Sequence, residues 1–116
     1  MVTEADVLAN KVSCLQSIND DIVAARKLQH SVSQAESDSM EPGIADMRAK
    51  QMAIAAQGYL GALADPAFTD AIDKIDAATD DMKATAEIMK TVTGFITNVA
   101  GYLGAAGKVV SALQGA

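Results

Sequence analysis

Cys14 and His30 are the single cysteine and single histidine of this chain, and the chemistry they could do is limited by what they lack. A nucleophile needs a base and a group that orients it, and a structural zinc site needs three or four nitrogen and sulfur ligands. One residue of each kind excludes a multi-cysteine or multi-histidine zinc site within one chain and an intrachain disulfide, and the place of the only histidine on the polar flank of a helix argues against a triad. Cys14 therefore reads as a small buried or half-buried apolar residue. His30 falls on the polar flank of a helical segment and reads as a solvated side chain.

Five aspartates, Asp70, Asp73, Asp76, Asp80 and Asp81, could in principle gather a divalent cation through oxygen ligands. A calcium loop alternates its ligands around a tight turn with glycine at the centre, and this stretch has neither feature. Lys74 and Lys83 also neutralise part of its field, so the cluster reads as a solvated helix face. Gly-rich phosphate loops sit between a strand and a helix, whereas the glycines here lie within helical periodicity. The methionines, notably Met47, Met52, Met82 and Met89, read as adaptable core fillers. The expectation is a chain with no catalytic residues, no metal site, no cofactor and no small-molecule substrate.

Composition narrows the partners. A net charge of −6 opposes attachment to a phosphate backbone, which needs clustered Lys and Arg. Anionic lipid is repelled for the same reason, although an uncharged segment can still bury apolar area in a bilayer. The first residues, Met-Val-Thr-Glu-Ala-Asp, lack the basic start and apolar run of a secretory signal. Cytoplasmic residence, or export without a cleaved signal peptide, is expected. Aromatic residues make up 3% of the chain and Trp is absent, so a core must be built from Ala, Leu, Ile, Val and Met, which suits closely packed helices.

Periodicity then supplies the elements that must carry any function. The fold class expected is all-α, a single domain over 1–116 forming an elongated bundle of three helices, or four if the last one breaks. Leu8, Val12, Leu15, Ile18, Ile22, Ala25, Leu28, Val32 and Ala35 recur at threes and fours and predict a helix over about 5–37. Pro42 and Gly43 predict a turn after it. A second helix is expected over about 44–64, with Ile44, Met47, Met52, Tyr59, Leu60 and Leu63 as its larger apolar groups. Asp65 and Pro66 form the sharpest boundary, since Asp caps a helix and Pro suits its first position.

The last segment has the strongest pattern. Phe68, Ile75, Met82, Met89, Ile96, Leu103 and Val110 stand at every seventh position, and Ala71, Ala78, Thr85, Val92, Val99, Ala106 and Leu113 follow three residues on. Together they predict a coiled-coil-like seam along one helix over about 67–113, roughly 70 Å long at 1.5 Å per residue. A break near Gly94 would instead give a four-helix bundle.

The outer face of that segment is charged before residue 91 and uncharged from Thr91 to Gly107. There Ile88, Phe95, Tyr102 and Val109 widen the apolar surface, and Thr93, Thr97, Gly101 and Ala105 form a ladder of small residues that admits a second backbone. The tetrapeptide Gly-Tyr-Leu-Gly stands at 58–61 and again at 101–104. A helix this apolar and small all round is expected to be covered on every side. The interaction residues implied are Ile88, Phe95, Gly101, Tyr102, Gly104, Ala105 and Val109.

The function expected is that of a non-enzymatic assembly protein, associating with itself or with another helical protein, as in a filamentous or secretion-related assembly. The alternative is a membrane-active or pore-forming protein that inserts 91–113, a stretch barely long enough for a span of about 20 apolar residues.

Overall fold

The computed structural model describes the backbone of residues 4–57 and 65–115 and the side chains of 5–57 and 70–113. It holds four helices among these residues: α1 (Glu4–His30), α2 (Gln34–Ala56), α3 (Asp65–Ile88) and α4 (Val92–Gly115). Two helical hairpins result, α1 with α2 and α3 with α4, and both are closed in the same way. The Ser33 carbonyl accepts from the Ser37 amide at 2.8 Å, and the Thr91 carbonyl accepts from the Phe95 amide at 2.8 Å. The Ser33 hydroxyl accepts from the Glu36 amide and the Thr91 hydroxyl from the Gly94 amide. Each hydroxyl satisfies an amide at the start of a helix that has no partner inside it.

The first boundary departs from the sequence expectation. α1 stops at His30, seven residues short of the expected end, and the Ser-rich stretch after it is helical. Ser33 is the N-cap, its hydroxyl accepting from the Glu36 amide and donating to the Glu36 carboxylate at 3.0 Å. That cap starts α2 before Pro42 is reached, so Pro42 sits within the helix instead of ending it. Gly43 does not make a turn either. A Cβ there would stand 2.8 Å from the Phe95 ring and 3.2 Å from Val99, so Gly43 is the socket in which α4 rests its aromatic side chain.

The second departure is from the continuous long helix, and the alternative expected from Gly94 is what forms. The chain breaks at Met89–Thr91, between α3 and α4, three residues before Gly94. Gly94 belongs to the turn: a Cβ there would lie 2.0 Å from the Ile88 carbonyl oxygen, so only a residue without a side chain lets the chain double back this tightly. The whole structure extends 50 × 22 × 17 Å, too short for a rod of about 70 Å.

The hairpins lie side by side in the same direction. α1 touches α2 and α3, α4 touches α2 and α3, and α1 meets α4 weakly across one diagonal. α1 runs parallel to α3, with Asn10 bonded to Asp76. α2 runs parallel to α4, with Gly43 against Phe95 and Lys50 beside Gly107. The core joins Val7, Ile18, Ile22, Met40, Ile44, Met47, Ile54, Ile75, Met82, Phe95, Tyr102 and Val109. Fully burying such a side chain stabilises the fold by about 1.5–3 kcal/mol.

The stripe expected on α1 holds through its middle, where Ile18, Ile22 and Ala25 are buried. Near its start Val12 is 62% exposed and Lys11 is buried instead. The Lys11 ammonium donates to the Ala55 and Gln57 carbonyls at 3.1 and 2.6 Å, capping the end of α2 with a cation where the helix dipole favours one. On α2, Ile44 and Met47 are buried as expected and Met52 points outward. Tyr59, Leu60 and Leu63 lie outside the described residues, as does the first Gly-Tyr-Leu-Gly.

Spin labels placed at 74 and 108, positions that line one groove between α3 and α4, are expected to lie within about 20 Å of each other, the spacing of packed helices plus side chains. A continuous helix would hold them about 51 Å apart, and dipolar spectroscopy that returns the longer distance would contradict the hairpin. Gly94→Ala should cost about 2 kcal/mol or more in urea unfolding, in the range of backbone-strain substitutions; a loss within error of zero would remove Gly94 from the turn.

Candidate functional site

α4 carries most of the residues singled out from the sequence, and its rotation decides which of them face outward. At 100° per residue, Phe95, Tyr102, Val109 and Leu113 share one side, and all four are buried with Ala105, Ala106 and Ala112. On the opposite side Thr93, Thr97, Ala100, Gly104, Lys108 and Ser111 are exposed, with Ile96 and Gly101 nearer its edges. Ile96 is 48% exposed.

The expected seam is therefore not one line. Ile75, Met82 and Met89 are buried, but beyond the turn Ile96 faces out and Leu103 and Val110 are half-buried. The turn at Met89–Thr91 resets the register, and the row one residue earlier, Phe95, Tyr102 and Val109, takes the core. Phe68 lies outside the described side chains. The interaction set is split in the same way: Phe95, Tyr102, Ala105 and Val109 pack inside the chain, while Ile88, Gly101 and Gly104 are at the surface. The ladder Thr93, Thr97, Gly101 and Ala105 advances 40° per step, so it starts on the outer face and ends in the core.

Among the described residues nothing lies within 4 Å of the position a Cβ would take at Gly101 or Gly104, so no described neighbour requires glycine at either place. Glycine within a helix costs roughly 0.5–1 kcal/mol relative to Ala. Gly43 and Gly94 have an internal reason for that cost; among the described residues Gly101 and Gly104 have none.

Inside the bundle, one polar pair spans the diagonal. The Tyr102 hydroxyl donates to Asp21 Oδ2 at 2.6 Å, joining α4 to α1. Burial raises the Asp21 carboxyl above its ordinary value of 3.8, the Tyr102 hydrogen bond and Lys83 lower it in part, and Asp20 and Glu87 add repulsion. Burial and the Asp21 charge together push the Tyr102 phenol far up. The sequence carried no sign of this pair, since its members are 81 positions apart; the only available hint was that a buried Tyr needs a partner for its hydroxyl.

A second network joins α1 to α2. The buried Gln29 amide donates to the Ser37 carbonyl at 3.1 Å and to Glu41 at 2.7 Å, and it accepts from Arg26 at 2.8 Å. Arg26 also pairs with Glu41 at 2.5 Å. Hydrogen bonds from Arg26 and then Gln29 hold the Glu41 carboxyl below its usual range.

The remaining chemical candidates stay apart. Cys14 is buried, and burial raises its thiol despite Thr79 and Lys83 nearby, which keeps it protonated and a poor nucleophile at neutral pH. His30 is exposed at the end of α1. Asp70 pairs with Lys74 at 2.9 Å and Asp76 accepts from Asn10 at 2.6 Å. Among the described residues no group of three or more His, Cys, Asp or Glu is placed to hold a metal ion, and no helix is long and apolar enough to cross a membrane.

The architecture is that of an all-α bundle made of two hairpins. Comparison with protein families, curated proteins and solved structures finds no match to this chain.

Asp21 binds its proton more tightly folded than unfolded. Its stabilising contribution is therefore present below the ordinary carboxylate value and is lost as pH rises through the elevated folded one. Asp21→Asn, whose side-chain oxygen still accepts from Tyr102, should be more stable than the parent chain at pH 7, with the advantage fading on acidification toward pH 3.8. Parallel stability profiles for the two proteins in thermal unfolding across that range would contradict the assignment.

Proposed function

We propose that this chain is a non-enzymatic helical assembly module that associates with a second copy of itself through the outer face of α4. The observation that carries this reading is the pair of mid-helix glycines, Gly101 and Gly104, standing in open space. Small residues on a helix surface let a second backbone approach closely and gain dispersion contacts along its length. Such a contact would repay a propensity cost that no described neighbour offsets.

The charge distribution supports a second copy as the occupant. All 15 acidic residues lie at or before Glu87, and Lys108 is the one charged residue of α4. Two chains of net charge −6 that meet through α1, α2 or α3 bring carboxylates together, and like charges in a contact cost several kcal/mol. Two α4 faces meet without carboxylates, and Lys108 is the one charge that either face brings. A twofold arrangement makes one patch complementary to itself, the commonest way soluble chains associate.

Gly104→Ala separates this reading from a purely internal role, because it moves two measurements in opposite directions. The isolated chain should gain about 0.5–1 kcal/mol of stability, while self-association followed by sedimentation velocity should weaken. Gly104→Glu should abolish association. A parent chain that stays monomeric at millimolar concentration, or an Ala variant that associates as tightly as the parent, overturns the proposal.

A further inference from the structure

We propose that the cavity between α1 and the α3–α4 turn is a binding site for a small organic ammonium ion with a short apolar body. This is independent of the outer face of α4, which lies on the other side of that helix. The cavity measures about 170 Å³ and is partly open. Its walls are mostly apolar, built from Ala25, Leu28, Ala86, Met89 and Phe95, and its charged lining is Asp21 with the Glu87–Lys90 ion pair. A dry apolar cavity of about 150 Å³ is enough to accept benzene, so one ring or a short alkyl chain fits the space.

Charge selects the head group. α1 presents Asp20 and Asp21, α3 presents Lys83 and Glu87, and the turn presents Lys90. Lys90 is already paired with Glu87 at 2.7 Å. The field around the opening is therefore net anionic, and Asp21 is half-buried and accepts from the Tyr102 hydroxyl. An ammonium placed against that carboxylate would make up for the hydration that burial has removed, adding to the partial effect of Lys83. Phe95 adds apolar wall for the body of the ligand. An anion would meet the carboxylate, and a neutral apolar molecule would fill the space while leaving the carboxylate as it is.

Benzylammonium is the probe. Titrated into the isotopically labelled full chain at pH 7, it should shift amide resonances around 21–28 and 86–95 saturably, with a dissociation constant below about 1 mM, a modest demand on eight non-hydrogen atoms. Benzyl alcohol, of the same shape without the charge, should bind at least tenfold more weakly. Asp21→Asn should lose at least tenfold in benzylammonium affinity and keep the benzyl alcohol affinity. Ala86→Leu, which fills the cavity from α3 without touching the carboxylate, should lose both. Absence of saturable shifts, equal binding of alcohol and ammonium, or undiminished ammonium binding in either variant would overturn the proposal.

Discussion

The reversal of the chain at Met89–Thr91 is the constraint on which the other features of this bundle depend. Gly94 allows it by letting the first turn of α4 approach the Ile88 carbonyl, and the Thr91 hydroxyl holds it by accepting from the Gly94 amide. The reversal turns a continuous row of apolar residues into two helices that pack on each other. It also changes which row of α4 faces inward, so that Phe95 and Tyr102 enter the core and Ile96 leaves it. Phe95 then meets Gly43, Tyr102 meets Asp21, and Met89 and Phe95 close one end of the cavity beside α1. A straight helix with the same sequence would make none of these contacts.

Tyr102 and Phe95 are the largest fully buried side chains, and both belong to the one helix that lacks carboxylates. The other helices reach across to α4 and to each other with polar groups: Asp21 to Tyr102, Gln29 to Ser37 and Glu41, Lys11 to the last carbonyls of α2. These bonds matter less for their net worth, about 1 kcal/mol each, than for the cost of leaving one half unmade in a buried setting. Loss of this alignment would leave the buried Lys11 ammonium without the two carbonyls to which it donates. Apolar packing among Ala, Ile, Val and Met is tolerant of small shifts, so the polar bonds favour one alignment of the hairpins over its neighbours.

The helical class and the middles of α1, α2 and α3 were legible in the sequence because burial at threes and fours leaves a direct trace. Ile18, Ile22, Ala25, Ile44, Met47, Ile75 and Met82 are all in the core. Boundaries were less legible because two local signals compete at each. Pro42 and Gly43 look like a stop, yet the Ser33 cap acts earlier in the chain and Pro is accommodated within the helix. The unbroken heptad from Ile75 to Val110 looks like one helix, yet a row at seven-residue spacing survives an excision of the turn, since both arms of a hairpin present apolar residues to the same core. The buried contacts of Lys11 and Asp21 left no trace at all: their partners are distant in sequence, and each charge in isolation reads as surface.

The four glycines at 43, 94, 101 and 104 show how far sequence and fold together constrain the outer face of α4. Each costs the helix or its turn about the same in backbone entropy, near 1 kcal/mol. At 43 an added methyl would strike an aromatic ring, and at 94 it would strike a carbonyl oxygen, so the cost there is offset by contacts made inside the chain. At 101 and 104 an added methyl meets nothing. A chain optimised only for its own folding would carry alanine at both, as it does at Ala100, Ala105 and Ala106 on the same helix. Among the described residues no contact requires glycine at these two positions, and both stand on the one helix that carries no carboxylate.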